Sequence, residues 1–262
     1  MSDKLKRYIY IKKRNKVLIL LFQLGICIIF LTIWELLSKL NIINTFIFSS
    51  PSNILKTLLN LFNTNNLFIH IFTTSYETII AFLITTVLSL IISILLYEFK
   101  TLSKIMDPYL TIFNSLPKVA LGPIIIVWIG ANNTSIIVMA VLISIIVSTQ
   151  TIMTSFISTN KYKIKLMDTF NASKIQKLIY LVIPSNLKTI INTLKINVSM
   201  CLIGVVMGEF LTSKTGIGYL ILYGSQVFNL NLVYAGILLL LIISIIMYKI
   251  IVIIENKVNK LY

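Results

Sequence analysis

Long apolar runs separated by short polar stretches dominate the pattern of hydrophobic and polar positions along this chain. Each run is long enough to cross a membrane as a helix, which takes about 20 residues. None shows the strict alternation that is typical of a transmembrane β-strand. The pattern therefore predicts a single domain over residues 1–262, an all-α bundle of six transmembrane helices. The predicted spans are about 17–37, 72–99, 106–129, 135–157, 187–211 and 232–254.

Three segments depart from this simple pattern. Pro117 and Pro123 interrupt the third run, because a proline ring cannot continue the helical hydrogen bonds. Residues 49–62 predict a short amphipathic helix capped by Ser50, lying in the outer membrane interface. The glycine-containing segment 212–231 is predicted to be an outer loop or a re-entrant piece.

The composition is that of a membrane protein. Hydrophobic residues make up 57% of the chain and charged residues 12%, about half the charged share of an average soluble domain. The mean hydropathy is +0.95. A retained first span is favoured over a cleaved signal peptide, because no small-residue cleavage site follows Leu37.

The net charge of +15 is distributed unequally between the loops. In a soluble chain such an excess would indicate nucleic-acid binding, whereas here it marks the cytoplasmic loops and we expect no nucleic-acid partner. The predicted inner residues are Lys12, Lys13, Arg14, Lys16, Lys100, Lys104, Lys161, Lys163, Lys165, Lys174, Lys177, Lys188, Lys257 and Lys260. The predicted outer residues are Lys39, Lys56 and Lys214. This asymmetry predicts that both termini are cytoplasmic.

One basic, amphipathic stretch, residues 158–186, lies between the fourth and fifth runs. Its spacing predicts a short helix over 161–170, a left-handed turn at Asn171, and a second helix capped by Ser173 and ended by Pro184. A helix–turn–helix that reads DNA is the alternative interpretation, but membrane-spanning runs flank the stretch. We therefore predict a cytoplasmic docking element for another protein.

This stretch resembles the coupling loop of ABC-importer permeases. The family pattern is Glu-Ala-Ala, three residues, Gly, nine residues, Ile, one residue and Leu-Pro. The matching positions here are Lys165, Leu166, Met167, Asn171, Leu181, Ile183 and Pro184, and the intervening Ala172 and Ser173 also suit the pattern. The family's glutamate is therefore replaced by Lys165. The resemblance implies a coupling helix that docks in a groove of an ATPase subunit, with Phe170 and Met167 as its apolar anchors.

Other stretches resemble the branch of this family that carries nitrate, sulfonate, taurine or thiamine precursors. SSPSNILKTL, from Ser49, is similar to its entry helix, and LPKVALGPIIIVWIG, from Leu116, is similar to its proline-containing span. HIFTTSYETIIA resembles the pattern H-x-x-x-S-x-x-R, with Glu77 in place of the arginine. GEFLTSKTGIGYLI, from Gly208, resembles an A-E pattern followed by G-L-G.

The resemblance implies a type I ABC importer permease in a bacterial plasma membrane, with both termini inside. It implies a homodimer that works with an ATPase subunit and an extracytoplasmic solute-binding protein. ATP and magnesium would bind to the ATPase, since this chain has no Walker motif, and the chain itself would be no enzyme and hold no cofactor or metal. The expected substrate is a small anionic or polar solute.

Asn114, Ser115, Lys118 and Glu209 are the candidates for the translocation path. A lysine at membrane depth would suit an anionic substrate. Alternatively, Pro117 ends an interfacial helix and leaves Lys118 near cytoplasmic water. Glu209, at the outer end of the fifth span, would be a gate, a contact with the binding protein, or a snorkelling or capping acid at the interface.

Gly204 and Gly208 form a GxxxG spacing in the fifth span. Two glycines at this spacing allow two helix backbones to approach closely. We therefore predict that they are helix-packing positions.

Two other classes of protein fit the sequence less well. A secondary transporter or channel not driven by ATP predicts ionisable residues deep in several spans and matched broken helices. Only the third run is visibly broken, and the basic loop would have no role. A membrane-embedded enzyme lacks any paired acids or second histidine to perform acid–base chemistry.

Overall fold

The computed structural model describes residues 3–64 and 66–258, and this part of the chain is helical apart from short turns. Lys260, predicted to lie on the inner side, falls outside the described residues. The helices are α1 Asp3–Lys39, α2 Thr45–Phe48, α3 Pro51–Asn63, α4 Asn66–Glu98, α5 Lys100–Ser115, α6 Gly122–Ile129, α7 Asn133–Ile157, α8 Lys161–Thr169, α9 Lys174–Lys177, α10 Ile183–Ser185, α11 Leu187–Thr212, α12 Ile217–Gln226 and α13 Leu230–Val258.

Five of these helices are long and apolar enough to cross a membrane, namely the 17–39 part of α1, α4, α7, α11 and α13. Their bounds lie close to five of the predicted spans. The largest difference is in α4, which begins at Asn66 rather than near residue 72. Residues 67–72 are apolar except for His70, and neither Asn66 nor His70 removes a backbone hydrogen-bonding group, so the helix begins earlier than predicted.

The third predicted span is not one helix. It consists of α5, a 3-10 turn over Lys118–Leu121 and α6, with an 89° bend between the two halves. Pro117 causes the break, since Leu116 before it is extended (ψ 141°), as the proline ring requires. Pro123 does not interrupt a helix, because it lies in the first turn of α6, where no N–H donor is needed.

The core of the bundle is formed by α4, α7 and α11. A side chain added at Gly204 would collide with the backbone of Ala140, and one added at Gly208 would come within 2.9 Å of Ile136 Cγ2. The two glycines of the GxxxG spacing therefore bring α11 against α7 within one chain. Hydrogen bonds between small polar side chains, such as Thr85 Oγ1 to Ser144 Oγ at 2.8 Å, also join these helices.

The predicted amphipathic helix corresponds to α3. Ser50 caps it by accepting the Asn53 N–H at 3.2 Å. Ile54 is buried, whereas Phe62 is half exposed. The glycine-containing segment after α11 contains the helix α12, which packs against α13 and α4.

Candidate functional site

The loop between α7 and α11 consists of two short helical pieces joined by a tight turn. α8 forms the first piece, and α9, a π-helical turn over Leu178–Val182 and α10 form the second. Pro184 was predicted to end the second piece, but the chain stays helical to Ser185. Pro184 lies in the first turn of α10, and the wider π-helical turn before it avoids the N–H that proline lacks.

The turn that ends α8 is a Schellman motif centred on Asn171. Asn171 has a φ of +50°, and its N–H donates to Asp168 O at 2.9 Å. The Ala172 N–H donates to Met167 O at 3.1 Å. These two bonds satisfy carbonyl groups at the end of α8 and set the direction of the following piece.

Local contacts also fix the start of the second piece. Ser173 and Gln176 form a capping box, in which the Ser173 N–H donates to Gln176 Oε1 at 2.7 Å and the Gln176 N–H donates to Ser173 Oγ at 3.3 Å. A salt bridge between Lys177 and Asp168 joins α9 back to α8. The two pieces therefore form one compact hairpin.

The base of this hairpin is anchored in the bundle. Leu178 and Val182 are buried against Phe156 near the end of α7. Asn186 Oδ1 accepts a hydrogen bond from Ser155 Oγ at 2.6 Å, which ties the end of the hairpin to the same helix. Asn186 was not among the predicted site residues. Its hydrogen-bond partner, Ser155, lies on another helix, which the sequence does not reveal. The one available signal in the sequence was the position of Asn186 just before a long apolar run.

The other face of the hairpin is apolar and uncovered. Phe170 is 73% exposed, Tyr180 72% and Ile175 67%. Among the other predicted loop residues, Lys165 and Leu166 are exposed, and Met167, Ala172 and Leu181 are half-buried.

The broken third span carries a polar stripe on its exposed side. Thr111, Asn114 and Ser115 lie at helical spacing on α5 and are exposed, and Lys118, in the turn after the break, is half-buried. Lys118 Nζ donates to Asn114 Oδ1 at 3.2 Å, and Gln150 Nε2 of α7 donates to Thr111 Oγ1 at 3.2 Å. The structure thus places three of the four path candidates together, at the bend.

Glu209 does not join this stripe, because it lies fully buried inside the protomer. An exposed, snorkelling acid at the membrane interface is therefore the wrong description of it. The capping description matches the geometry: its carboxylate receives the Gly218 N–H at the start of α12 at 2.5 Å. Glu209 Oε1 also accepts a hydrogen bond from Thr74 Oγ1 at 2.6 Å.

Two neighbouring helices supply acceptors to all three N–H groups at the start of α12, residues 216–218. These groups donate in order to His70 Nδ1 at 3.0 Å, Thr74 Oγ1 at 2.8 Å and Glu209 Oε2 at 2.5 Å. A helix N-terminus needs such acceptors, and its dipole favours an acid. We call His70, Thr74, Glu209 and residues 216–218 the α12 anchor.

The glycines of the α12 anchor leave room for the Glu209 carboxylate. A Cβ at Gly218 would lie 2.6 Å from Glu209 Oε2, and one at Gly216 would collide with the same carboxylate. Gly216 also has a φ of +107°, which side chains other than that of glycine rarely adopt. These positions shape the backbone around a buried acid.

Glu77 lies beside the α12 anchor and was not among the predicted site residues, so the expectation that the chain has no paired acids is wrong. Glu77 is fully buried, it lies next to Glu209, and neither of its carboxylate oxygens has a hydrogen-bond partner among the described residues. A buried acid without a partner is uncommon. The available signal was the H-x-x-x-S-x-x-R resemblance, in which Glu77 occupies the arginine position.

Comparison with known proteins identifies the class. Residues 86–260 match the family described as binding-protein-dependent transport system inner membrane component. The chain belongs to this family, because the match covers more than half of it.

Three curated relatives and one solved structure agree with this assignment. The chain is 30% identical to a probable ABC transporter permease protein of Haemophilus influenzae, over 84% of this chain and 89% of the relative. It is 24% identical to the putative aliphatic sulfonates transport permease protein SsuC of Bacillus subtilis (88% and 84%) and 28% identical to the formylaminopyrimidine transport permease protein ThiX of Halalkalibacterium halodurans (72% and 75%). The fold matches an inward-facing structure of the MetNI methionine ABC transporter with a TM-score of 0.67, 17% identity, and coverage of 74% and 97%.

The chain is therefore the membrane-spanning permease subunit of an ABC importer, a multi-pass protein of the bacterial plasma membrane. It is a transport component, and the ATPase is a separate subunit. This confirms the expected fold, family and class of function. The alternatives of an ATP-independent transporter and of a membrane enzyme are wrong.

Proposed function

We propose that two copies of this chain form the translocation path of the importer and that the hairpin 161–184 transmits the ATPase motion to them. ATP and magnesium bind to the ATPase subunit, and a solute-binding protein delivers the substrate from outside. The single observation that carries the coupling role is the apolar face of the hairpin, which exposes Phe170 and Tyr180 while its base is anchored in the bundle.

The anchoring makes the hairpin suitable for coupling. Leu178 and Val182 pack on the end of α7, and Asn186 is hydrogen-bonded to the same helix. A force applied to the exposed face therefore reaches α7 and α11 directly, without passing through a flexible linker. Exposed aromatic side chains are common anchors at protein interfaces.

The coupling role is tested with Phe170→Ala and Asn171→Val. The first removes an exposed aromatic anchor, which commonly costs about 2 kcal/mol or more at an interface. The second places a β-branched residue at a positive φ, at a cost of roughly 1–2 kcal/mol. We expect both variants to insert normally, to copurify less ATPase and to lose uptake. Ser185→Ala, an exposed change in the same loop, is the control.

Normal copurification and uptake in both Phe170→Ala and Asn171→Val would overturn the coupling role. Failure to insert would instead show that the loop is needed for folding. Membrane insertion is therefore measured separately, by carbonate extraction.

We also propose a small anionic solute of the aliphatic sulfonate type as the substrate, with a thiamine-precursor pyrimidine as the alternative. SsuC of Bacillus subtilis is named as a putative aliphatic sulfonates transport permease, and ThiX is named as a formylaminopyrimidine transport permease. The polar stripe favours an anion, because Lys118 lies at the 89° bend with its ammonium held by Asn114.

This substrate class is tested with Lys118→Ala and Lys118→Arg in cells given a small aliphatic sulfonate. We expect Lys118→Ala to reduce uptake by at least tenfold and Lys118→Arg to retain most of it, because the positive charge is kept. Lys56→Ala, which removes an exposed lysine of α3, is the control. Equal uptake by Lys118→Ala and the unmodified protein would exclude the lysine from the path.

A further inference from the structure

A cavity of about 480 Å³ lies between the hairpin and the bundle. It is formed where α4 and α7 end and where α5 and α8 begin. Its volume is within the ~300–1,000 Å³ typical of sites for small ligands. Its lining includes Lys100, Lys104, Lys161, Lys165, Leu96 and Ile164.

The charge of this cavity has one sign. Four lysines from two helices line it, and none of its lining residues is acidic. Lys161 and Lys165 are four residues apart on α8, which places them on one face of that helix with Ile164. Lys163 lies between them in sequence but does not line the cavity. The basic lining is therefore a property of one face of α8 and the start of α5.

The other walls are largely apolar, with Ser103 and Tyr97 as the exceptions. Leu96 of α4 is buried at 3% exposure, and Ile157, the last residue of α7, also lines the cavity. This end of the bundle is the cytoplasmic one by the distribution of loop lysines, so the cavity opens at the inner membrane surface. A ligand for it must offer both a negative group and an apolar group at that depth.

We propose that the cavity binds one anionic phospholipid. The phosphate contacts the lysines of α5 and α8, and the upper part of an acyl chain packs against Leu96 and Ile157. Basic pockets between spanning helices on the cytoplasmic side are suited to such headgroups. Free phosphate would use the lysines alone, and an ATPase docked on Phe170 would contact the other face of the hairpin.

The bound lipid positions the hairpin on the bundle. It bridges α8 to the start of α5, since both elements contribute lysines to the cavity. The lipid site is independent of the proposed transport function, because lipid binding can be measured without the ATPase or a substrate.

The experiment uses the full chain purified in neutral detergent and exposed to mixed vesicles of phosphatidylglycerol and phosphatidylcholine. Native mass spectrometry counts the lipid retained by each protein. We expect the unmodified protein to retain phosphatidylglycerol in preference to phosphatidylcholine. The double variant Lys161→Ala/Lys165→Ala should lower this retention by roughly tenfold or more, because each basic residue near a membrane surface adds to the attraction.

The matched control is Lys163→Ala/Lys188→Ala, which removes the same number of positive charges outside the cavity. We expect it to change retention less than twofold. Lys161→Arg/Lys165→Arg should restore retention, which separates lost charge from misfolding. Equal losses in the test and control variants, equal retention of the two lipids, or displacement of the lipid by millimolar inorganic phosphate would overturn the proposal.

Discussion

The α12 anchor and the hairpin between α7 and α11 both hold short helices in place, but they draw on different parts of the chain. In the hairpin, Ser173 caps α9 in a reciprocal pair with Gln176, three residues away. Asn171 closes the turn through a hydrogen bond from its N–H to Asp168 O. In the α12 anchor, the acceptors His70 and Thr74 are 146 and 143 residues from their donors. The turn and the cap of the hairpin are therefore fixed by local contacts, whereas the start of α12 is fixed mainly by tertiary contacts.

The two regions also differ in burial and therefore in what a defect costs. The hairpin caps are exposed to water, which can replace a lost hydrogen bond. Glu209 and Thr74 are fully buried, and a donor left there without a partner bears its whole desolvation cost. The same chemical change should therefore cost more in the α12 anchor than in the hairpin.

The largest expected effect is that of Glu209→Ala. It removes the acceptor of both the Thr74 hydroxyl and the Gly218 N–H, and each buried donor left unsatisfied costs about 1–3 kcal/mol. We expect a loss of about 3 kcal/mol or more in the free energy of unfolding, measured by denaturant titration in detergent. Glu98→Ala, which removes a half-buried acid at the other end of α4, is the control. An equal loss for Glu98→Ala would show that capping is not the basis of the effect.

A smaller loss is expected for Gly216→Ala. The methyl group meets the Glu209 carboxylate, and a φ of +107° disfavours any side chain, so the change should cost about 2 kcal/mol. Thermal unfolding in detergent provides the measurement. Gly25→Ala, where nothing lies within 4 Å, should leave the protein equally stable or slightly more stable. If both changes had the same effect, neither the positive φ nor the carboxylate would constrain position 216.

The smallest effect is expected for Ser173→Ala in the hairpin. Loss of one exposed cap typically costs about 1 kcal/mol and should fray α9 while the bundle keeps its thermal stability. Hydrogen exchange at the Gln176 amide should become faster. Ser185→Ala, whose hydroxyl has no hydrogen bond among the described residues, should leave this exchange unchanged. A drop in the melting temperature of the whole protein would contradict the local character of the cap.

The features that depend on neighbouring residues could be predicted from the sequence. The apolar runs define the spanning helices because lipid requires each segment to satisfy its own backbone. The positive φ of Asn171 and the cap at Ser173 follow from side chains that act within a few residues. The breaking effect of Pro117 is equally local, although its 89° angle is not, since the packing of α6 against α7 and α11 sets the direction in which the chain continues.

The combination of distant residues depends on tertiary packing. The sequence does not show whether an acid in the fifth span faces water or the interior of the bundle. The packing of α4, α11 and α12 buries Glu209 beside Glu77. The glycine spacing at 204 and 208 permits close contact with another helix, and in the folded chain that helix is α7 of the same chain. Such choices depend on which elements meet in three dimensions, and the pattern along a single chain carries that information only indirectly.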